Sequence, residues 1–162
     1  MKQKIEINEF VILQNPIIGS HILHEFSKYY YSEKKEGIKI PFLFIVLPIV
    51  FSKEYSDDIS IKNFKIGSML KSLNNENLYW DTLQQRMSDF SEITFQSLNI
   101  AFAASLLLYD NQNGRIIPNN YKSFKPKDKK DYDKMIKTAH RLGYWFGLLK
   151  DEEICSYLNI SF

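Results

Sequence analysis

The sequence predicts a mainly α-helical protein with one small β-hairpin, and three observations carry that expectation. Apolar residues recur at helical spacing in several stretches, most regularly from Tyr132 to Leu149. Gly and Pro are scarce, six and five in 162 residues, which argues against a disordered chain and against a loop-rich sandwich. Asn113-Gly114, a strong turn signal, sits between two short apolar stretches. One domain over 1–162 is expected: a helical body over about 15–108, a hairpin and basic segment over about 107–130, and C-terminal helices over about 131–160. A chain this long buries roughly 70% of the surface it exposes when unfolded, so a real core is expected.

Asn15-Pro16 opens the first long helix: Asn accepts from free amides and Pro suits the first helical position. Ile18, Ile22, Phe26 and Tyr29 or Tyr30 then recur on one face, and the polar stretch Ser32 to Gly37 ends it. Pro41 to Phe51 is an eleven-residue apolar run, read as a short buried helix that Pro48 either bends or follows after its first turns. It is too short for a bilayer, which needs about 20 residues. Ser52 to Ser60 reads as a polar connection in which Asp57-Asp58 is solvated. Ile66, Met69, Leu70 and Leu73 line one short helix, and Trp80, Leu83, Met87 and Phe90 another. Ser91 is expected to cap a helix over roughly 92–108, apolar on nearly every side from Ile100 onward and therefore central. The hairpin around Asn113-Gly114 and a basic segment lead into a long amphipathic helix containing Met135, Ala139, Leu142, Gly143 and Phe146. Asp151 is expected to cap a last helix with Ile154, Cys155 and Leu158. Helices, hairpin, helix: this order is compatible with a winged-helix-like module on a helical body.

The net charge of +2 hides an asymmetry. Residues 122–141 hold Lys122, Lys125, Lys127, Lys129, Lys130, Lys134, Lys137 and Arg141 against three aspartates, so this window carries +5 and the remainder −3. Lysines neutralise phosphates without reading sequence, which makes this strip the candidate for nucleic-acid contact. Tyr29, Tyr30 and Tyr31 cannot all face inward on one helix, and an exposed tyrosine favours an interface.

Catalytic and cofactor chemistry finds little support. No Gly-rich loop precedes a Lys-Ser or Lys-Thr pair, so no Walker-type ATP site is expected. His21 and His24 lie three apart, but further ligands are distant in sequence and Glu25 is read as pointing elsewhere; no metal is expected. Cys155 and His140 form a remote nucleophile–base pairing, with a small buried Cys155 the favoured reading. Neither Asp57-Asp58 nor Glu152-Glu153 converges as an acid/base pair. Cys155 is the only cysteine, which fits a reducing, cytoplasmic setting, and the first ten residues lack the apolar core of a signal peptide.

Several pieces taken together resemble a known family. They are Asn15-Pro16 opening a helix with Phe26 and a tyrosine cluster; the proline–apolar run–leucine–proline segment Ile40 to Val50; Ser68-Met69-Leu70; and Ala139-His140-Arg141-Leu142-Gly143-Tyr144-Trp145-Phe146 followed by Ile154 to Ile160. In this order they resemble the middle component of bacterial three-component ABC-ATPase conflict systems, of which Lamassu-type anti-phage systems are the best known. The resemblance implies a non-catalytic adaptor without cofactors. Its implied partners are an SMC-like ABC ATPase and an effector, a nuclease or other toxic enzyme. Double-stranded DNA is a further expected contact, and a membrane is not. Tyr29, Tyr30, Tyr31, Phe42, Phe44, Tyr144 and Trp145 are the residues expected at partner interfaces. The alternative is a stand-alone winged-helix-like DNA-binding module, and a small enzyme is a third, weaker reading.

Overall fold

A computed structural model describes residues 8–121, 126, 127 and 129–162. The elements in chain order are α1 (Glu9–Leu13), α2 (Pro16–Lys34), α3 (Ile40–Val50), α4 (Lys53–Ile59), α5 (Ile66–Leu73), a 3₁₀ turn (Trp80–Thr82), α6 (Leu83–Asp89), α7 (Ser91–Ala103), β1 (Leu107–Asp110), β2 (Arg115–Pro118), α8 (Lys130–Leu148) and α9 (Asp151–Leu158). The architecture is helical with a two-stranded antiparallel hairpin, as the sequence predicts.

Helix α2 is the axis of the fold. The side chain of Asn15 accepts from the amides of Ile17 and Ile18, both at 3.0 Å, and Pro16 occupies the first turn. The helix packs against α8 on one flank and α7 on another, with the hairpin and α3 also against it. Two close approaches fix this packing. A Cβ on Gly143 of α8 would overlap the Phe26 carbonyl oxygen and lie 3.1 Å from the Tyr30 nitrogen, so the two backbones touch with no side chain between them. A Cβ on Gly19 of α2 would overlap the Ser97 hydroxyl of α7 and sit 3.2 Å from Leu47 Cδ1. Only glycine fits at either place.

Helix α3 is buried from Phe42 to Val50 apart from Phe44. Burying each large aliphatic or aromatic side chain there contributes about 1.5–3 kcal/mol, which is how a helix with so few polar groups is held. Pro48 lies inside the helix, and its carbonyl accepts from Arg86 Nη2 at 2.7 Å. The Arg86 guanidinium also stacks over Tyr55 and Phe90, centroid distances 5.4 and 5.8 Å, tying α6 and α4 to α3.

The hairpin pairs Leu107 with Pro118 and Asp110 with Arg115. Gly114 takes φ 65, and its amide donates to the Asp110 carbonyl at 2.8 Å. Asn113 and Gln112 also bond the Asp110 carboxylate and hold its pKa below the ordinary value. Ile38 joins β2 as a bridge residue, exchanging backbone bonds with Ile116 at 2.9 and 2.8 Å.

Four local expectations change. The segment 53–59 is helix α4, not a solvated connection. Asp57 binds Lys53 and Lys134, while Asp58 binds Lys62, Ser72 and Asn75 across α4 and α5. Helix α7 stops at Ala103 instead of 108, because Ser105 turns left-handed at φ 55 and Leu106 donates back to the Ala101 carbonyl at 2.8 Å. Ser91 is the first helical residue and makes no capping bond. At α9 it is Glu153, not Asp151, that reaches back, accepting from the Lys150 amide at 2.8 Å. Among the described residues no helix is long and apolar enough to cross a membrane.

Candidate partner interface

The fold distributes the basic strip unevenly. Lys122 and Lys125 lie outside the described residues. Lys127, Lys130 and Lys137 are exposed, and exposed Lys129 stands 3.7 Å from Glu9. Lys134 is half-buried and paired with Asp57 at 2.6 Å. Burial alone would push Asp57 up, but Lys134 and Lys53 outweigh it and hold its carboxyl below the usual range. Arg141 donates from Nε to the Lys62 carbonyl at 2.6 Å and lies over the Phe64 ring at 4.9 Å. Its guanidinium therefore fastens the loop after α4 onto α8. What is open to a phosphate on α8 is Lys130 and Lys137, with Lys127 and Lys129 just before it.

The aromatic candidates also divide. Trp145 is 1% exposed, and Tyr30 and Phe42 are buried too, so these three rings belong to the core in this fold. Burial pushes the Tyr30 hydroxyl up to about 12. Tyr29 is half-buried, stacked on His140 at 4.0 Å and on Phe64 at 5.9 Å; Tyr144 meets the same Phe64 edge-on at 5.2 Å. Tyr31 is exposed and borders a cavity of about 460 Å³ with Lys35, Glu36, Asp110, Asn113 and Arg115. Phe44 is partly exposed and meets Phe95 edge-on at 4.8 Å.

That last contact opens onto a feature the sequence reading missed. Ile40, Pro41 and Phe44 of α3, Gln84 and Met87 of α6, Phe95 of α7, and the tail residues Ser161 and Phe162 line a groove of about 350 Å³. Phe95 is 58% exposed and Phe162 61% exposed, an unusual display for phenylalanine. Gln84 holds the tail by both backbone groups of Ser161: its Oε1 accepts from the amide at 2.8 Å, and its Nε2 donates to the carbonyl at 3.2 Å. The Phe162 ring meets Phe42 edge-on at 5.1 Å. The expectation of a central, all-round apolar α7 hid Phe95, because Phe95 lies on a flank of α7, beside the stripe of buried Thr94, Ser97 and Leu98.

A second missed feature is polar. Glu25, read as pointing elsewhere, has a side chain only 4% exposed. Its Oε2 is 2.7 Å from His140 Nε2 and its Oε1 is 3.0 Å from Lys28 Nζ, with His24 Nδ1 at 3.8 Å. His24 in turn meets the Asn119 carbonyl at 2.7 Å. One carboxylate thus joins α2 to α8, and a neighbouring imidazole joins α2 to the segment after β2. The signal was available: Glu25 lies seven residues after Ile18 and so falls on the inward stripe. His140 is engaged by Glu25 and Tyr29, while Cys155 lies on α9 with its thiol pushed up by burial. His21 has its pKa lowered, first by burial and then by His24. Among the described residues no group of three or more His, Cys, Asp or Glu converges as a metal site.

Comparison with known proteins adds one match. The family model described as ABC-three component (ABC-3C) system Middle Component 3 matches residues 4–162. No curated protein matches the chain. No solved structure matches it either.

Proposed function

This chain belongs to the ABC-three component (ABC-3C) system Middle Component 3 family, and we propose from that premise that it is the non-catalytic adaptor of its system. It links an SMC-like ABC ATPase to an effector of the nuclease or other toxic-enzyme class, in a Lamassu-type anti-phage complex in the cytoplasm. The observation that carries this reading is the presence of two exposed surfaces of different chemistry borne by different elements. One is the apolar groove over α3, α6 and α7; the other is the lysine-bearing face at the start of α8. A protein that joins two partners needs two such surfaces, and depletion of charge at the centre of one fits a protein–protein contact. The lysine face suits the backbone of double-stranded DNA held close to the ATPase.

Co-expression with the neighbouring components and purification through a tag on this chain tests the reading. Both components are expected to be retained through size exclusion at several salt concentrations. Recovery of this chain alone under all of them rejects the adaptor role.

A second reading, the stand-alone winged-helix-like DNA-binding module, draws on one feature: the hairpin precedes exposed lysines and then α8. It requires duplex affinity by the isolated chain that falls steeply with salt and is lost on Lys127→Glu, Lys129→Glu, Lys130→Glu and Lys137→Glu. DNA retention unchanged by that quadruple variant removes it.

A further inference from the structure

We infer that the cleft between the end of α2 and β2 binds a nucleoside phosphate, either free or as the terminal unit of a single nucleic-acid strand. The site goes beyond the adaptor reading and does not depend on it. Two cavities form the cleft, of about 460 and about 410 Å³, and Tyr31 and Ile117 line both. Each lies in the size range of small-ligand sites, about 300–1,000 Å³. Lys28, Tyr31, Ser32 and Lys35 make one wall, at the i, i+3, i+4, i+7 spacing of a single helix face. Arg115, Ile117 and Pro118 of β2, with Asn120 after it, make the other.

Three features of the lining select this ligand. Tyr31, where the two cavities meet, is 38% exposed, and among the described residues its ring and hydroxyl have no partner. Such a ring is a platform for a base, which stacks on it whatever its identity. Lys35 is the unpaired cation: Lys28 is held by Glu25 at 3.0 Å, and Arg115 by the Gly37 carbonyl at 2.9 Å and Glu36 at 3.5 Å. Lys35 also takes φ 61, a left-handed conformation that favours glycine, and its amide closes α2 onto the Tyr31 carbonyl at 2.9 Å. A strained lysine with no partner in the fold, tied to an unpartnered ring, fits a phosphate beside a base. The third feature is acidic. Glu36 faces Arg115, and Asp110 accepts from the Gln112 amide at 2.9 Å and from Asn113 Nδ2 at 2.7 Å. These carboxylates disfavour a bare anion but can accept from ribose hydroxyls, as acids do in dinucleotide sites. Other occupants fit less well. Ile116 gives both backbone groups to Ile38, and Pro118 has no N–H, so β2 offers an extended peptide no ladder on this side. An amphipathic helix would find only Ile117 and Pro118 beside the Tyr31 ring for its apolar face.

The test is calorimetric titration of the purified protein with each of the four ribonucleoside 5′-monophosphates, with inorganic phosphate and ribose as controls. At least one nucleotide is expected to bind one-to-one with Kd below about 1 mM, and both controls at least about tenfold more weakly. Tyr31→Ala is expected to weaken that binding about tenfold or more, through the lost stacking. Lys35→Gly is expected to weaken it to a similar degree while the melting temperature stays level or rises, because glycine suits φ 61. A merely structural Lys35 would not part the two readouts in this way. A short single-stranded oligoribonucleotide with a 5′-phosphate distinguishes the sources. Displacement of the bound mononucleotide by it, at lower concentration, assigns the site to a strand terminus; failure to displace assigns it to a free nucleotide. No binding of any of the four up to about 5 mM overturns the inference. So does inorganic phosphate binding as tightly as the nucleotides, or affinity unchanged in both Tyr31→Ala and Lys35→Gly.

Discussion

Where α8 meets α2, the backbones touch at Gly143, the buried Glu25 carboxylate bridges to His140, and Trp145 and Phe146 close the gap. Where α3 meets α6 and α7, phenylalanine edges meet Phe44 and Phe42 and then run out into solvent. The first region spends its apolar and polar groups on internal fit. The second leaves large rings half wet, which internal stability alone does not favour. Substitutions should therefore separate the two: stability should answer to the α2–α8 joint, and association to the groove.

The sharpest break comes from Gly143→Val. The added carbons collide with the Phe26 carbonyl and the Tyr30 backbone, so a loss of about 3 kcal/mol is expected in urea unfolding. Phe95→Ser in the groove should move the same measurement by less than about 0.5 kcal/mol. A comparable loss in both variants would erase the distinction. Next in size is Glu25→Gln, which removes a charge-assisted bond to His140 and to Lys28. About 2 kcal/mol is expected, again by urea unfolding, with association untouched. Gln84→Ala is smaller and local: the Ser161 amide should exchange with solvent about fivefold faster by mass spectrometry, with the core unaffected.

The smallest effect is on pH dependence. Folding lowers the Asp57 pKa, so its contribution is present above the ordinary value of 3.8 and is lost as pH falls through the lower folded value. The pair with Lys134 is well exposed, so wild type should exceed Asp57→Asn by less than about 1 kcal/mol at neutral pH. That difference should shrink only below pH about 4. A difference that instead grows in acid contradicts the pairing.

Much of the fold was legible because local chemistry and tertiary packing agree there. Asn15-Pro16 starts α2 by the bonds its residue types suggest, Asn113-Gly114 makes the hairpin turn, and the periodicity of α8 marks the face that is buried. The end of α7 was not legible, because Ser105 takes a left-handed conformation that usually signals itself by glycine or asparagine. Helix α4 was hidden because Asp57 and Asp58 look like loop residues until Lys134 and Ser72 arrive from other elements. The groove was illegible for a related reason. Phe44, Phe95 and Phe162 are far apart in sequence, and an exposed phenylalanine reads like a buried one. The basic strip was visible as composition, yet only the fold shows that Lys134 and Arg141 are spent on internal contacts.

Gly19 and Gly143 have a mechanical consequence. At Gly143 the α8 backbone lies directly on that of α2, whereas at Gly19 the α2 backbone rests on the short Ser97 side chain of α7. Close-packed matter of this kind transmits strain instead of absorbing it. A displacement of α7 is therefore expected to reach α8 through α2 with little slack at either contact.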